Sequence, residues 1–304
     1  MAALGDVDSD GAEEFVVGYG RWGGLWQGVE IWSLAGFGQV NKRGTFNNSR
    51  DYTFFGCSVA ATGDLTGDGI TEIAVGACED DWKGSPIGEV PAAGSLSILD
   101  WQKNNPVFVE DLVGGPGAPD YVRAGAEFGS ALVVTRSGEN VAIVVGAPGN
   151  DKIFLAEVEP LELKARFHSI SVPSDAAVGR LGSSLAELGD LDHNGWSELV
   201  VGAPERNSRG SVWIAFRTSA TEVSMWLEIS EGLGGFDGSL DDGDRFGASL
   251  ATIHLNDDGV TDLLVGAPGD DDGGRARGAV WALVLNASGT VAYKRKISHT
   301  GDGV

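Results

Sequence analysis

The sequence predicts an all-β chain folded as a β-propeller of four-stranded antiparallel blades, and three observations carry that prediction. Hydrophobic strands ending in Val-Gly recur at Val17-Gly18, Val75-Gly76, Val145-Gly146, Val201-Gly202 and Val265-Gly266, with their glycines 56 to 70 residues apart. That spacing holds one four-stranded unit per repeat. Four of these strands follow a short acidic turn with a glycine at its bend. Period-two alternation, β-branched residues and Gly or Asp punctuation run throughout, with no 3.6-period stretch of helical length. Four-stranded units repeated radially are the plan of a propeller.

The elements follow in order within each unit. A second marker, Phe55-Gly56, Phe128-Gly129, Leu181-Gly182 or Phe246-Gly247, opens the first strand 17 to 20 residues before the valine of the Val-Gly pair. That distance makes the first two strands a hairpin with the acidic turn at its tip. Glycine introduces a third strand in Gly28–Trp32, Gly94–Ile98, Gly210–Trp213 and Gly278–Trp281, and a fourth apolar stretch follows, as in Val223–Ile229 and Val291–Ile297. The chain is therefore expected to be one propeller domain, 1–304, with units at 1–50 (most of its first strand missing), 51–123, 124–177, 178–241 and 242–304. Two arrangements stay open: five units closing as a small ring, its last blade completed by the N-terminal strand, or five blades of a larger ring.

Composition narrows the function. With 21 basic and 44 acidic residues and a net charge of -23, the chain repels nucleic acid and anionic lipid. An apolar share of 42% excludes a disordered acidic tail, and 47 glycines suit a protein of tight turns. No apolar stretch reaches the roughly 18 residues that cross a bilayer, so no membrane insertion is expected within this segment. Met-Ala-Ala-Leu-Gly-Asp at the N-terminus has neither a basic nor an apolar run and is not expected to be a signal peptide.

The acidic turns carry the chemistry. Residues 6–14, 64–72, 190–198 and 254–262 set oxygen-bearing side chains at alternate positions, a glycine at the bend and a carboxylate at the close. Such a loop wraps a hard cation. Asp, Asn and Gly are also ordinary turn residues, but four copies in register favour the metal. An EF-hand fails on spacing, because the twelfth position from Asp6, Asp64 and Asp190 is Val17, Val75 and Val201, where that motif needs Glu.

Phe-Gly, an acidic turn and Val-Gly-Ala-Pro in succession resemble the FG-GAP repeat, and nearly the whole chain is similar to the propeller head of integrin α subunits. Phe246–Pro268 and Leu181–Pro204 are its best copies. The resemblance implies a ring of seven blades, which makes a fragment the expected reading. It also implies calcium, held by side-chain oxygens at loop positions 1, 3 and 5, a backbone carbonyl at 7 and a bidentate carboxylate at 9. Carried over, the first loop offers Asp6, Asp8, Asp10, the Ala12 carbonyl and Glu14; the second offers Asp64, Thr66, Asp68, the Ile70 carbonyl and Glu72. The fourth unit offers Asp190, Asp192, Asn194, the Trp196 carbonyl and Glu198. The fifth has His254 at position 1, leaving Asn256, Asp258, the Val260 carbonyl and Asp262. Three good calcium sites and a weak fourth are expected. Thr135–Asn140 in the third unit is too short, carries Arg136, and is expected to bind nothing.

Cys57 and Cys78 are expected to face each other across the second hairpin, as a disulfide or as two buried thiols. Trp32, Trp213 and Trp281, in third strands, are expected in the core. Loops on the face opposite the calcium hairpins, where integrin-like heads meet partners, make Arg21, Trp22, Trp26, Asp80, Asp81, Trp82 and Lys83 a candidate contact patch for a protein or glycan ligand. Loop packing is the alternative for these residues. His168, His193, His254 and His299 are scattered and no nucleophile-base set appears, so no catalysis is expected. The resulting expectation is a calcium-stabilised extracellular or cell-surface binding and adhesion module. A non-catalytic propeller appended to a secreted enzyme such as a phospholipase, and a non-adhesive structural scaffold, are the alternatives.

Overall fold

The computed structural model describes residues 1–8, 10–19, 27–35, 38–47, 54–79, 93–102, 105–112, 124–137, 140–174, 179–272, 274 and 277–298. Its fold is an all-β, five-bladed propeller of four-stranded antiparallel sheets. The first sheet is β1 (Ala2–Gly5), β2 (Glu13–Tyr19), β3 (Gly28–Ala35) and β4 (Gln39–Asn47); the second is β5 (Phe55–Gly63), β6 (Glu72–Ala77), β7 (Ser95–Gln102) and β8 (Asn105–Asp111). The third is β9 (Leu132–Ser137), β10 (Asn140–Ala147), β11 (Lys152–Glu159) and β12 (Lys164–Ile170). The fourth is β13 (Ser184–Gly189), β14 (Glu198–Ala203), β15 (Ser211–Arg217) and β16 (Val223–Ile229), and the fifth is β17 (Ser249–Ile253), β18 (Asp262–Ala267), β19 (Ala279–Leu285) and β20 (Val291–Ser298). Each sheet is a meander in chain order. The N-terminal strand pairs with β2 inside the first sheet, and β17 to β20 supply all four strands of the last, so β1 does not complete that blade.

Contacts gather the chain into two units, 1–149 with 155–167, and 150–154 with 168–304. In the first, Val16, Val29, Ile31, Ile73, Val75 and Leu99 form a dry core between the first two sheets. In the second, Val200, Val212, Ile214, Leu263, Val265 and Leu283 do the same between the last two. Strand residues alternate between the two faces of each sheet, and these β-branched and leucyl side chains fill the gap.

Both sequence markers exist because of that packing. The Phe-Gly aromatics Phe55, Phe128 and Phe246 are buried, and Leu181 takes the same place. The Val-Gly glycine of one sheet meets the Phe-Gly backbone of the next. A Cβ on Gly76 would lie 2.0 Å from the Gly129 carbonyl oxygen, and one on Gly202 would lie 2.1 Å from that of Gly247. The Ser58 and Ser184 hydroxyls donate to the same two carbonyls at 2.6 and 2.7 Å. Only glycine permits so close a backbone approach. Trp213 and Trp281 are buried as expected, whereas Trp32 is only half-buried, its indole N–H donating to Glu30 at 3.2 Å.

Candidate metal centres

Each acidic turn joins the first two strands of its sheet, and one hydrogen-bond scheme shapes the copies at 6–14, 64–72 and 190–198. The position-1 aspartate grips the bend with both oxygens. Asp6 accepts the Asp10 and Gly11 N–H groups, each at 3.0 Å; Asp64 accepts those of Gly67, Asp68 and Gly69 at 2.6, 3.1 and 2.9 Å; Asp190 accepts those of Asn194 and Gly195 at 3.0 and 2.8 Å. Position 5 then accepts the N–H of position 7: Asp10 from Ala12, Asp68 from Ile70 and Asn194 from Trp196, at 2.9, 2.9 and 2.8 Å. These are local Asx turns, which is why the pattern was readable from spacing.

The closing carboxylate is less ordinary. Glu14, Glu72 and Glu198 begin the second strand yet are 1%, 0% and 0% exposed. One oxygen of each accepts the backbone N–H of position 2: Val7 to Glu14 at 3.0 Å, Leu65 to Glu72, and Leu191 to Glu198 at 2.5 Å. The second oxygen is where the loops ask for something more. Oε1 of Glu14 and Oε1 of Glu198 are buried with no hydrogen-bond partner, as is Oδ1 of Asp8, while Oε1 of Glu72 receives only the Thr66 hydroxyl at 2.7 Å. A buried polar atom without a partner is costly, and a buried charge more so. Burial accordingly raises all three glutamate pKa values above the ordinary 4.5.

The groups Asp6/Asp8/Asp10, Asp64/Asp68/Glu72 and Asp190/Asp192/Glu198 each bring their oxygens within 4.8 Å of one another. An all-oxygen set with a carboxylate oxygen left over suits a hard cation of six to eight ligands, as calcium is. The donor set fits the metal. The fifth sheet's turn repeats the scheme in part: Asp258 accepts the Val260 N–H at 2.8 Å, but His254 stands where the other turns have the gripping aspartate. Asp262 spends both oxygens on backbone, accepting Leu255 N–H at 2.7 Å and Leu285 N–H at 2.9 Å. The His254 ring sits 3.3 Å from the Val260 carbonyl, and the Asn256 amide donates to Asp258 at 2.8 Å.

Arginines border three of these loops. Arg136, from the third sheet, donates to the Thr62 carbonyl beside the 64–72 loop. Arg217 is buried and donates to the Ser197 carbonyl at 2.5 Å, while its own carbonyl accepts the Asn194 amide at 2.7 Å. Arg43 is different, since its guanidinium touches Asp8 and lies 2.8 Å from Asp10. Spacing could not reveal it, because Arg43 is on the fourth strand.

A further acidic group, Asp241, Asp271 and Asp272, lies outside the hairpin turns. The Asp-rich runs 241–244 and 270–272 were its sequence signal. Lys296 pairs with Asp270 and Asp272 there, so a cation already stands among these carboxylates.

Cys57 and Cys78 are neighbours but carry free thiols rather than a bridge. The Cys78 N–H donates to the Cys57 sulfur at 3.1 Å, and Cys57 lies 3.5 Å from the Gly129 carbonyl. Burial pushes the Cys57 thiol well up, keeping it protonated. Ser58 pairs with Gly76, and irregularities on both sides of Val59–Ala60 displace the register from that of a symmetric hairpin. The contact-patch residues Arg21, Trp22, Trp26, Asp80, Asp81, Trp82 and Lys83, with Glu139 and His299, lie outside the described residues.

A family model described as the FG-GAP repeat matches residues 182–214 and 246–283, the hairpins of the last two sheets and their third strands. Human integrin alpha-IIb is 27% identical over 274 residues, which are 88% of this chain and 19% of the integrin. This is an FG-GAP repeat protein. It is a distant relative of the integrin alpha subunits, and it spans about a fifth of the length of the human and mouse integrin alpha-IIb chains. Rat phosphatidylinositol-glycan-specific phospholipase D is 34% identical over 106 residues, or 33% of this chain and 12% of that enzyme. Among solved structures, a putative 6-phosphogluconolactonase from Bacteroides uniformis superposes with a TM-score of 0.55 at 13% identity, covering 99% of this chain and 71% of that one, a likeness of fold alone. Among the described residues no helix is long and apolar enough to cross a membrane.

Proposed function

We propose that the chain is a calcium-braced FG-GAP propeller that serves as an extracellular or cell-surface binding and adhesion module, engaging protein or glycan partners through the face opposite its acidic hairpins. The observation that carries the calcium part is the buried closing glutamate whose second oxygen has no protein partner in two loops and only a hydroxyl in the third. Asp6, Asp8, Asp10, the Ala12 carbonyl and Glu14 would hold one ion. Asp64, Thr66, Asp68, the Ile70 carbonyl and Glu72 would hold a second, and Asp190, Asp192, Asn194, the Trp196 carbonyl and Glu198 a third. Bound calcium would supply the positive charge that lets these carboxylates be buried together. The loop residues do the rest, fixing each carboxylate by backbone N–H bonds before any ion arrives. Asn256, Asp258 and the Val260 carbonyl make at most a weak fourth site, because Asp262 has no oxygen left. Kinship with the integrin alpha subunits is what supports adhesion and an extracellular setting.

A second reading, a non-catalytic propeller attached to a secreted enzyme, is favoured by the likeness to the phospholipase D. Calorimetric titration of calcium into the chelator-treated chain, with thermal melts in calcium and in EGTA, tests the metal reading. Three equivalents and a higher melting temperature in calcium are expected. Absence of binding and an unchanged melt would refute it.

A further inference from the structure

The 6–14, 64–72 and 190–198 loops share one scheme, and in the first a guanidinium of the same chain lies across the carboxylates of positions 3 and 5. Arg136 donates to the Thr62 carbonyl beside the 64–72 loop, and Arg217 donates to the Ser197 carbonyl and bears electrostatically on Glu198, at position 9 of the 190–198 loop. In the first loop the Arg43 guanidinium bridges Asp8 and Asp10, the residues of positions 3 and 5. Asp8 is only 11% exposed and Arg43 27%, so the pair is partly shielded from water and salt.

The backbone is built to deliver this side chain. Along β3 and β4, Ile31 pairs with Gly44 and Trp32 with Lys42, which leaves Arg43 as the extra residue of a β-bulge. Bulges bend a strand and re-aim a side chain. The second sheet has the same bulge, since Ile98 pairs with Glu110 and Leu99 with Phe108, and there the extra residue is Val109. The two sheets therefore carry different residues at one structurally equivalent bulge, a charged one in the first and an apolar one in the second.

We infer that Arg43 is a built-in counter-cation that competes with metal for Asp8 and Asp10, so that the 6–14 loop keeps its shape without calcium and binds it more weakly than its two counterparts. This rests on the calcium reading of the loops. A guanidinium presents its donors in a planar fork suited to carboxylates, and an ion entering the loop must displace it.

The test is calorimetric titration of calcium into the full chain carrying Asp64→Ala and Asp190→Ala, with and without Arg43→Gln. Adding Asp6→Ala assigns the remaining heat to the first loop. Arg43→Gln is expected to tighten first-loop binding at least tenfold. An unchanged or weakened affinity, with the first-loop heat present, overturns the inference and leaves the calcium reading intact. If the wild-type chain takes up no calcium at any loop, that reading falls and this inference falls with it. Should the double variant not fold, amide exchange of the wild type in EGTA decides: Asp10, Gly11 and Ala12 are expected to exchange more slowly than Asp68, Gly69 and Ile70, and equal or faster exchange overturns the inference.

Discussion

Replacing Glu198 by Gln is expected to change stability in opposite directions with and without calcium. Glu198 is 0% exposed; its Oε2 accepts the Leu191 N–H at 2.5 Å and its Oε1 has no partner. Carboxylate oxygens of Asp190 and Asp192 lie within 4.8 Å, adding like-charge repulsion. The amide of Gln keeps the bond from Leu191 through its oxygen and offers an NH2 group to those neighbours. It thereby removes an unsatisfied buried charge whose cost is about 2 kcal/mol. In EGTA the variant should melt about 4 °C higher than wild type, at roughly 2 °C per kcal/mol for a chain of this size. With calcium at a hundredfold excess over its dissociation constant, wild type gains about 2.7 kcal/mol from that site. The variant forgoes this gain, so the order of melting temperatures should reverse. Calorimetric melts in the two buffers make the comparison. A variant less stable than wild type in EGTA would refute the reasoning, because the orphan oxygen would then not be a burden that the metal relieves.

Three further outcomes are expected. Asp6→Ala and Asp190→Ala should each remove one calcium equivalent in a titration, while Glu139→Ala, in the short third turn, should leave the stoichiometry unchanged. Burial raises the pKa values of Glu14, Glu72 and Glu198 above 4.5, so in EGTA the folded chain binds protons more readily than the unfolded one. Their penalty is fully relieved below 4.5 and returns as pH rises through the folded-state values; the advantage of E198Q in urea melts should therefore shrink on acidification from pH ~7. Gly202→Ala forces a Cβ to 2.1 Å from the Gly247 oxygen and 2.2 Å from the Ser184 hydroxyl oxygen. Forced overpacking of this kind costs about 1–3 kcal/mol or more, to be seen as a lower urea midpoint with calcium stoichiometry intact.

The strand pattern, the four-stranded repeat and the shape of the acidic turns were legible in the sequence because each is local. Period-two alternation sets the strands. The bonds that shape Asp6–Glu14, Asp64–Glu72 and Asp190–Glu198 run between residues two to seven apart, so spacing alone encodes them. The Phe-Gly and Val-Gly markers were visible as repeats, but their reason, the meeting of Gly76 with Gly129 and Gly202 with Gly247, lies between sheets. Likewise, the departure of the fifth turn from the other three was signalled by His254. Its firmer cause, the Leu285 N–H that takes the last oxygen of Asp262, comes from 23 residues away.

What the sequence by itself determined is the blade and the cradle of oxygens at its tip, since hydrophobic period and turn chemistry act over a few residues. Only the tertiary structure decided which cradles stand open. Burial strands one oxygen of Glu14 and Glu198 without a partner, and a bulge in β4 carries Arg43 back to Asp8, 35 residues earlier. Charge compensation depends on distance in space, and a fourth strand folded back along its own sheet brings together what the sequence keeps apart.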